Sequence, residues 1–182
     1  LTNGNHDILM AVKSGKAIRF HESNVRAMGR NASGVRGVTL AGDDDRVVGM
    51  VCVEGQEENI LVVSEKGYGK RSELEDYRIT NRGGKGVKTL NLTEKTGSLI
   101  SIKSVTDDDD LMIINKSGVM IRLAVAELRV MGRATQGVRL INLKGNDEIA
   151  SVAKVPASDE EEFVEGAEEN GTESPDGGNE NG

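Results

Sequence analysis

Twelve cations in this chain recur at fixed intervals. Arg19, Arg71 and Arg122 form one series, Arg26, Arg78 and Arg129 a second, Arg30, Arg82 and Arg133 a third, and Arg36, Lys88 and Arg139 a fourth. In every series the spacings are 52 and then 51 residues. Lys85 adds a further charge inside "RGGKG". Their neighbours are small: "RAMGRNASGVR" (26–36) sets three arginines among Gly, Ala, Ser and Asn with no acid to answer them. Glycines and small residues beside a cation leave backbone N–H groups open to close approach, which suits a phosphate chain. A merely solvated charged face is the competing explanation.

Covalent chemistry has no comparable support. His6 and His21 are the only histidines and Cys52 the only cysteine, too few for a usual zinc site or an HExxH motif. "RGGKG" and "SGKA" lack the spacing of a phosphate-binding P-loop. Asp107 to Asp110 has no EF-hand glycine or distal Glu in register, so it reads as an acidic turn between strands.

The elements that position the cations repeat with them. Gly15, Gly67 and Gly118 each follow an apolar run, Gly34, Gly86 and Gly137 each precede a Val, and in every copy the two glycines lie 19 residues apart. Each unit reads as about four short strands. The first, "ILMAV", "ILVVS" or "LMIIN", is apolar throughout and predicts a strand buried on both faces. After a glycine turn, "KAIRF" and "VMIRL" alternate, so Ile18 and Phe20, or Ile121 and Leu123, are expected inward and Arg19 or Arg122 outward. "YGKRS" keeps the arginine but alternates poorly. "GVRGVTL", "GVKTLNL" or "GVRLINL" follows a loop, and "RVVGMVCV", "SLISI" or "EIASV" closes the unit. Four strands per period of about 50, with no amphipathic helix, predict an all-β, propeller-like array of blades. The units are expected at about 7–58, 59–109 and 110–156, within a body spanning 1–157. Closed arrays usually need four to eight blades, so the remaining ones are expected before Leu1, and the chain is expected to be a piece of something longer.

Composition agrees. Of 182 residues, 36% are hydrophobic but only 2% aromatic, so the core must come from Val, Ile, Leu and Met, which suits strands. A single cysteine fits a reducing compartment, and no apolar run is long enough for a membrane span. The net charge of −7 hides two unlike parts. Residues 158–182 hold ten acids and no Lys or Arg, leaving 23 basic against 20 acidic residues in the body. That stretch is expected to be a disordered acidic tail. With few aromatics to stack bases and no recognition helix, duplex is the better partner than single strands, held through phosphates and shape.

"SGKAIRFHESNVRAMGRNASGVRG", "KGYGKRSELEDY" and "MGRATQGVRLI" closely resemble the last three blades of the C-terminal domain of the DNA gyrase A subunit, over about residues 7–156. The resemblance implies a β-pinwheel of four-stranded blades that exchange strands with their neighbours, and duplex DNA bent around a basic perimeter. On it Arg19, Arg26, Arg30, Arg36, Arg71, Arg78, Arg82, Lys85, Lys88, Arg122, Arg129, Arg133 and Arg139 map to the DNA-facing side. It also implies a bacterial, cytoplasmic, nucleoid-associated type II topoisomerase that introduces negative supercoils. The gyrase B subunit would be reached through the part upstream, as would a second gyrase A protomer. ATP and Mg would act elsewhere in the complex, leaving no cofactor and no catalytic residue here. The family's heptapeptide Q-R-R-G-G-K-G is matched at five of seven positions by Thr80-Asn81-Arg82-Gly83-Gly84-Lys85-Gly86. The topoisomerase IV A subunit, whose similar domain reads DNA geometry in decatenation, is the alternative. A propeller scaffold for protein partners is the reading from another class.

Overall fold

A computed structural model describes residues 1–55 and 57–157; the acidic stretch 158–182, expected to be disordered, lies outside the described residues. The described chain forms three antiparallel sheets in a row. In the first unit β1 (Asp7–Val12) turns back as β2 (Lys16–His21), and β3 (Val47–Val53) pairs on the other side of β1. The second unit repeats this with β4 (Asn59–Ser64), β5 (Tyr68–Glu73), the two-residue β6 (Val87–Lys88) and β7 (Leu99–Val105). The third has β8 (Asp109–Asn115), β9 (Met120–Ala124), β10 (Val138–Arg139) and β11 (Ile149–Pro156). After the second strand of each hairpin comes one 3-10 turn, at Glu22–Asn24, Leu74–Asp76 and Val125–Glu127.

The short strands do not complete their own units. β6 pairs with β2 of the unit before it, and β10 with β5, giving sheet orders β3-β1-β2-β6, β10-β5-β4-β7 and β11-β8-β9. Thus the first two sheets have the expected four strands and the third has three. Residues 35 and 36, the counterpart of the exchanged strand in the first unit, are in no strand.

Glycine makes the exchange possible. Gly86 and Gly137 precede the exchanged strands with φ of 70° and 80°, and an added Cβ would lie 2.5 Å from the Ala17 carbonyl oxygen and 2.6 Å from that of Gly69. Gly34 has φ of 79° as well, but nothing within 4 Å. Backbone bonds repeat at each seam: Thr89 N–H donates to Gly15 O and Leu140 N–H to Gly67 O, both at 2.8 Å.

The cores lie between sheets. Leu9 and Ala11 of β1 meet Ile60 and Val62 of β4, while Leu61 and Val63 on the other face of β4 meet Leu111 and Ile113 of β8. Side chains alternate across a strand, so one run feeds two cores. The expectation that all three runs are buried on both faces holds only for the middle one. In β4 all but the first residue are buried, whereas β1 and β8 alternate buried with half-buried over most of their length because a neighbouring sheet covers one face.

The seam carries a test of its own. Gly137→Ala adds a backbone clash to a left-handed φ and should lower stability by about 3 kcal/mol, against about 1 kcal/mol for Gly34→Ala, where only the φ is unfavourable. Urea midpoints of the two variants measure the difference, and equal losses would mean the exchanged strand does not constrain the fold.

Candidate nucleic-acid interface

The four cation series occupy different environments. The first was expected to face outward, and the structure corrects this for Arg19 and Arg71. Arg19 lies between β1 and the next unit: its guanidinium pairs with Asp7 at 2.6 Å and donates to the carbonyls of Leu74 at 2.8 Å and Tyr77 at 3.2 Å. Arg71 is buried, donating to the Leu128 carbonyl at 2.5 Å and pairing with Asp107. Alternation does set Arg19 on the face opposite Ile18 and Phe20. That face, however, meets the second unit, where Ala17 joins the apolar cluster. Arg122 pairs with Asp110 at 2.6 Å and donates to Pro156 O, yet its side chain is 41% exposed because no further described unit covers it. Arg19 and Arg71 bolt one blade to the next.

Members of the third series act as staples in the opposite direction. Arg82 donates to the carbonyls of Asn24 (3.1 Å) and Arg36, and Arg133 to those of Asp76 (2.9 Å) and Lys88. Asn24 and Asp76 end equivalent 3-10 turns, and Arg36 and Lys88 are equivalent cations. Both Arg82 and Arg133 are half-buried, while Arg30, which precedes the first seam, is exposed. The box-like loop around Arg82 lies against residues 37–39: Gly83 N–H donates to Gly37 O at 2.7 Å, and Thr39 N–H to Gly84 O at 2.9 Å.

Besides Arg122, eight of these cations are exposed: Arg26, Arg30, Arg36, Arg78, Lys85, Lys88, Arg129 and Arg139. The second and fourth series are complete among them. Arg26, Arg78 and Arg129 each follow a 3-10 turn and make no side-chain hydrogen bond or ion pair among the described residues. Bridges from Ile79 to Arg19 and from Val130 to Arg71 fix the backbone immediately after Arg78 and Arg129. Bolted residues thus hold their exposed neighbours in place.

Sequence reasoning missed several contributors. Lys70 stands where the other units have Ile18 and Ile121, and that exchange of charge for apolar bulk was the available signal. Its ammonium is buried and donates to the carbonyls of Gly132 and Arg133, holding the following loop from beneath. Burial pushes Lys70 down to about 8, with Asp76 opposing the fall and Arg133 adding to it. Asp7 and Asp110, the acidic partners of Arg19 and Arg122, stand two periods apart, with Asn59 between them. That spacing announced the pairs. Tyr77 is buried with its hydroxyl on Thr89, and burial raises its phenol to about 12. Among the described residues no His, Cys, Asp and Glu group can hold a metal ion, and no helix is long and apolar enough to cross a membrane.

Comparison with known proteins follows the same three units. The family model described as "DNA gyrase C-terminal domain, beta-propeller" matches residues 6–54, 58–106 and 109–156. The chain is 47% identical over 178 residues to the DNA gyrase A protein of Staphylococcus aureus (strain NCTC 8325 / PS 47), covering 97% of this chain and 20% of that protein. It therefore spans about a fifth of the relatives it matches. Among solved structures, the C-terminal domain of DNA topoisomerase IV aligns with a TM-score of 0.80 at 25% identity, covering 86% of this chain and 48% of that one. A DNA gyrase A C-terminal domain aligns at 0.76 and 27%, covering 84% and 52%.

Lys70 gives a pH test. Its folded value of about 8 lies below the ordinary 10.5, so between these values the unfolded chain binds more protons and stability rises with pH. An uncharged amine keeps two N–H donors for its two carbonyls, so the loop stays tied. Urea midpoints from pH 7 to 10.5 should therefore climb more steeply for the native chain than for Lys70→Ile, and parallel curves would exclude a shifted Lys70.

Proposed function

The chain belongs to the DNA gyrase C-terminal domain family, and from that premise we propose that it binds duplex DNA and bends it around its basic rim. The observation that carries this reading is the sorting of the cations. After the bolts and staples are accounted for, two whole series remain exposed at successive blades, together with Arg30 and Lys85. Bending a duplex by 40–90° over 20–30 base pairs takes on the order of 1–6 kcal/mol. A row of cations recurring at each blade offsets that elastic energy along the whole path. Phosphate contacts carry no base information, so sequence preference is weak and DNA shape dominates.

Within a complete gyrase A protein this domain serves an ATP-dependent type II topoisomerase that introduces negative supercoils, in the bacterial cytoplasm. Wrapping with one handedness presents the enzyme with a crossing of one sign. Its partners, through parts of the protein upstream, are the gyrase B subunit plus a second gyrase A protomer. Strand cleavage, ATP and Mg belong to those parts, and this region contributes binding. Boundaries at about 7–58, 59–109 and 110–156 describe the three wrapping units.

The alternative, a topoisomerase IV domain that recognises DNA geometry, is favoured by the structural likeness at a TM-score of 0.80. The 47% identity with gyrase A over nearly the whole chain supports the first reading. Relaxing closed-circular DNA with a type I topoisomerase in the presence of the chain separates them. Wrapping shifts the linking-number distribution, and binding that leaves it unchanged favours the second.

Engaging about six of the eight exposed cations predicts a slope of log K against log salt of about −5. Substituting Arg26, Arg78 and Arg129 together with Gln should reduce the slope by about 2 to 3 without moving the urea midpoint. Arg71→Met should do the reverse, lowering the midpoint first. A flat salt response in the native chain would support the protein-scaffold reading instead.

A further inference from the structure

The seam between the second and third units opens into a cleft of about 420 Å³, lined on one side by Lys66, Tyr68 and Lys95 and on the other by Arg139 and Asn142. Arg139 is held in a fixed pose: its guanidinium lies 5.4 Å from the centre of the Tyr68 ring and donates to the Tyr68 hydroxyl at 3.1 Å and to Asn142 Oδ1 at 3.2 Å. Lys66 is anchored by a 2.6 Å bond to Glu94 O. The side chain of Lys95 is exposed and has no partner among the described residues.

Two carboxylates also line the cleft, and both are engaged on the side of the third unit. Asp147 accepts from the Ser117 hydroxyl at 2.7 Å, and Glu148 pairs with Lys116 at 2.5 Å. None of the three cations facing the cleft has a carboxylate partner among the described residues.

The first seam is built differently. At the positions one period earlier, Ser14 stands for Lys66, Lys16 for Tyr68, Asp43 for Lys95 and Lys88 for Arg139. Its cleft is lined by Asp43, Asp44 and Asp45 with Lys13. Asp45 accepts from the Ser14 hydroxyl at 2.8 Å, as Asp147 does from Ser117, but Asp43 and Asp44 have no side-chain partner among the described residues and offset Lys13, Lys16 and Lys88. The engaged acids of the second seam instead leave Lys66, Lys95 and Arg139 to attract a phosphate chain.

We propose that the cleft at the second seam holds backbone phosphate of the DNA duplex, and that the first seam has no such hold on this rim. This rests on the wrapping reading and adds an asymmetry to it: the duplex is gripped in a cleft at the second seam and at the first meets only the rim cations. Tyr68 serves as a rigid plate that pre-orients Arg139, so little side-chain freedom is lost when the phosphate arrives.

The test uses the full 182-residue chain and a mixed-sequence duplex of about 40 base pairs, titrated by fluorescence anisotropy at several salt concentrations. Lys66→Gln with Lys95→Gln changes two exposed side chains and should weaken binding about tenfold at low salt and reduce the salt slope by about 1 to 2. Lys13→Gln with Lys16→Gln, at the first seam, should change affinity by less than about twofold. An equal loss in both pairs would mean a general charge effect and would overturn the site. Native affinity in the Lys66/Lys95 pair, with loss in the Arg26/Arg78/Arg129 variant, would overturn the cleft and leave the wrapping reading standing. If the native chain fails to bind the duplex at all, both fall.

Discussion

In each of the first two hairpins, the outer edge, β2 or β5, receives two residues from the following unit, and a glycine at positive φ lets that strand approach within van der Waals contact of the hairpin backbone. An unpaired sheet edge leaves N–H and C=O groups open to other partners, so a unit alone is an incomplete sheet. Exchange turns this defect into the joint between neighbours. The same dependence sets the cores, since each apolar face is buried only by the sheet beside it.

Once strands cross the seam, charge has to cross with them. Arg19 and Arg71 reach forward to carbonyls at the next 3-10 turn, and Arg82 and Arg133 reach back to the turn before. A guanidinium presents several donors in a fixed plane, which lets one side chain satisfy two carbonyls or a carbonyl and a carboxylate. Two members of each of these arginine series therefore serve a joint, and the other two series stand beside them at the surface. Position relative to the joint, more than residue type, separates structural cations from those free to meet a phosphate.

The units are not equal in electrostatics. Lys70 replaces an apolar residue only in the second hairpin and ties the following loop from below. The turn leading into the last strand of each unit carries Asp43 to Asp45 in the first, Lys95 in the second and Asp147 in the third. A rim of repeating backbone geometry therefore has a varying potential, and a stiff polyanion lying on it feels that variation at every blade.

The period, the paired glycines and the alternation of "KAIRF" and "VMIRL" were legible in the sequence because they depend on local backbone chemistry and on a repeat that spacing alone reveals. They were enough for the fold class and the resemblance. The carboxylate partners of Arg19 and Arg122 had a trace in the two-period spacing of Asp7 and Asp110. Spacing could not say which sheet a Gly-Val-Arg segment joins, because pairing with its own hairpin and with the preceding one leave the same pattern along the chain. For the same reason Arg19 and Arg78 looked alike as members of in-phase series, although one is enclosed between blades and the other exposed. "ILMAV", "ILVVS" and "LMIIN" likewise read as equivalent runs, and only the packing of sheet on sheet made the middle one buried on both faces. Burial is a property of neighbours distant in sequence, so it was decided by the tertiary structure.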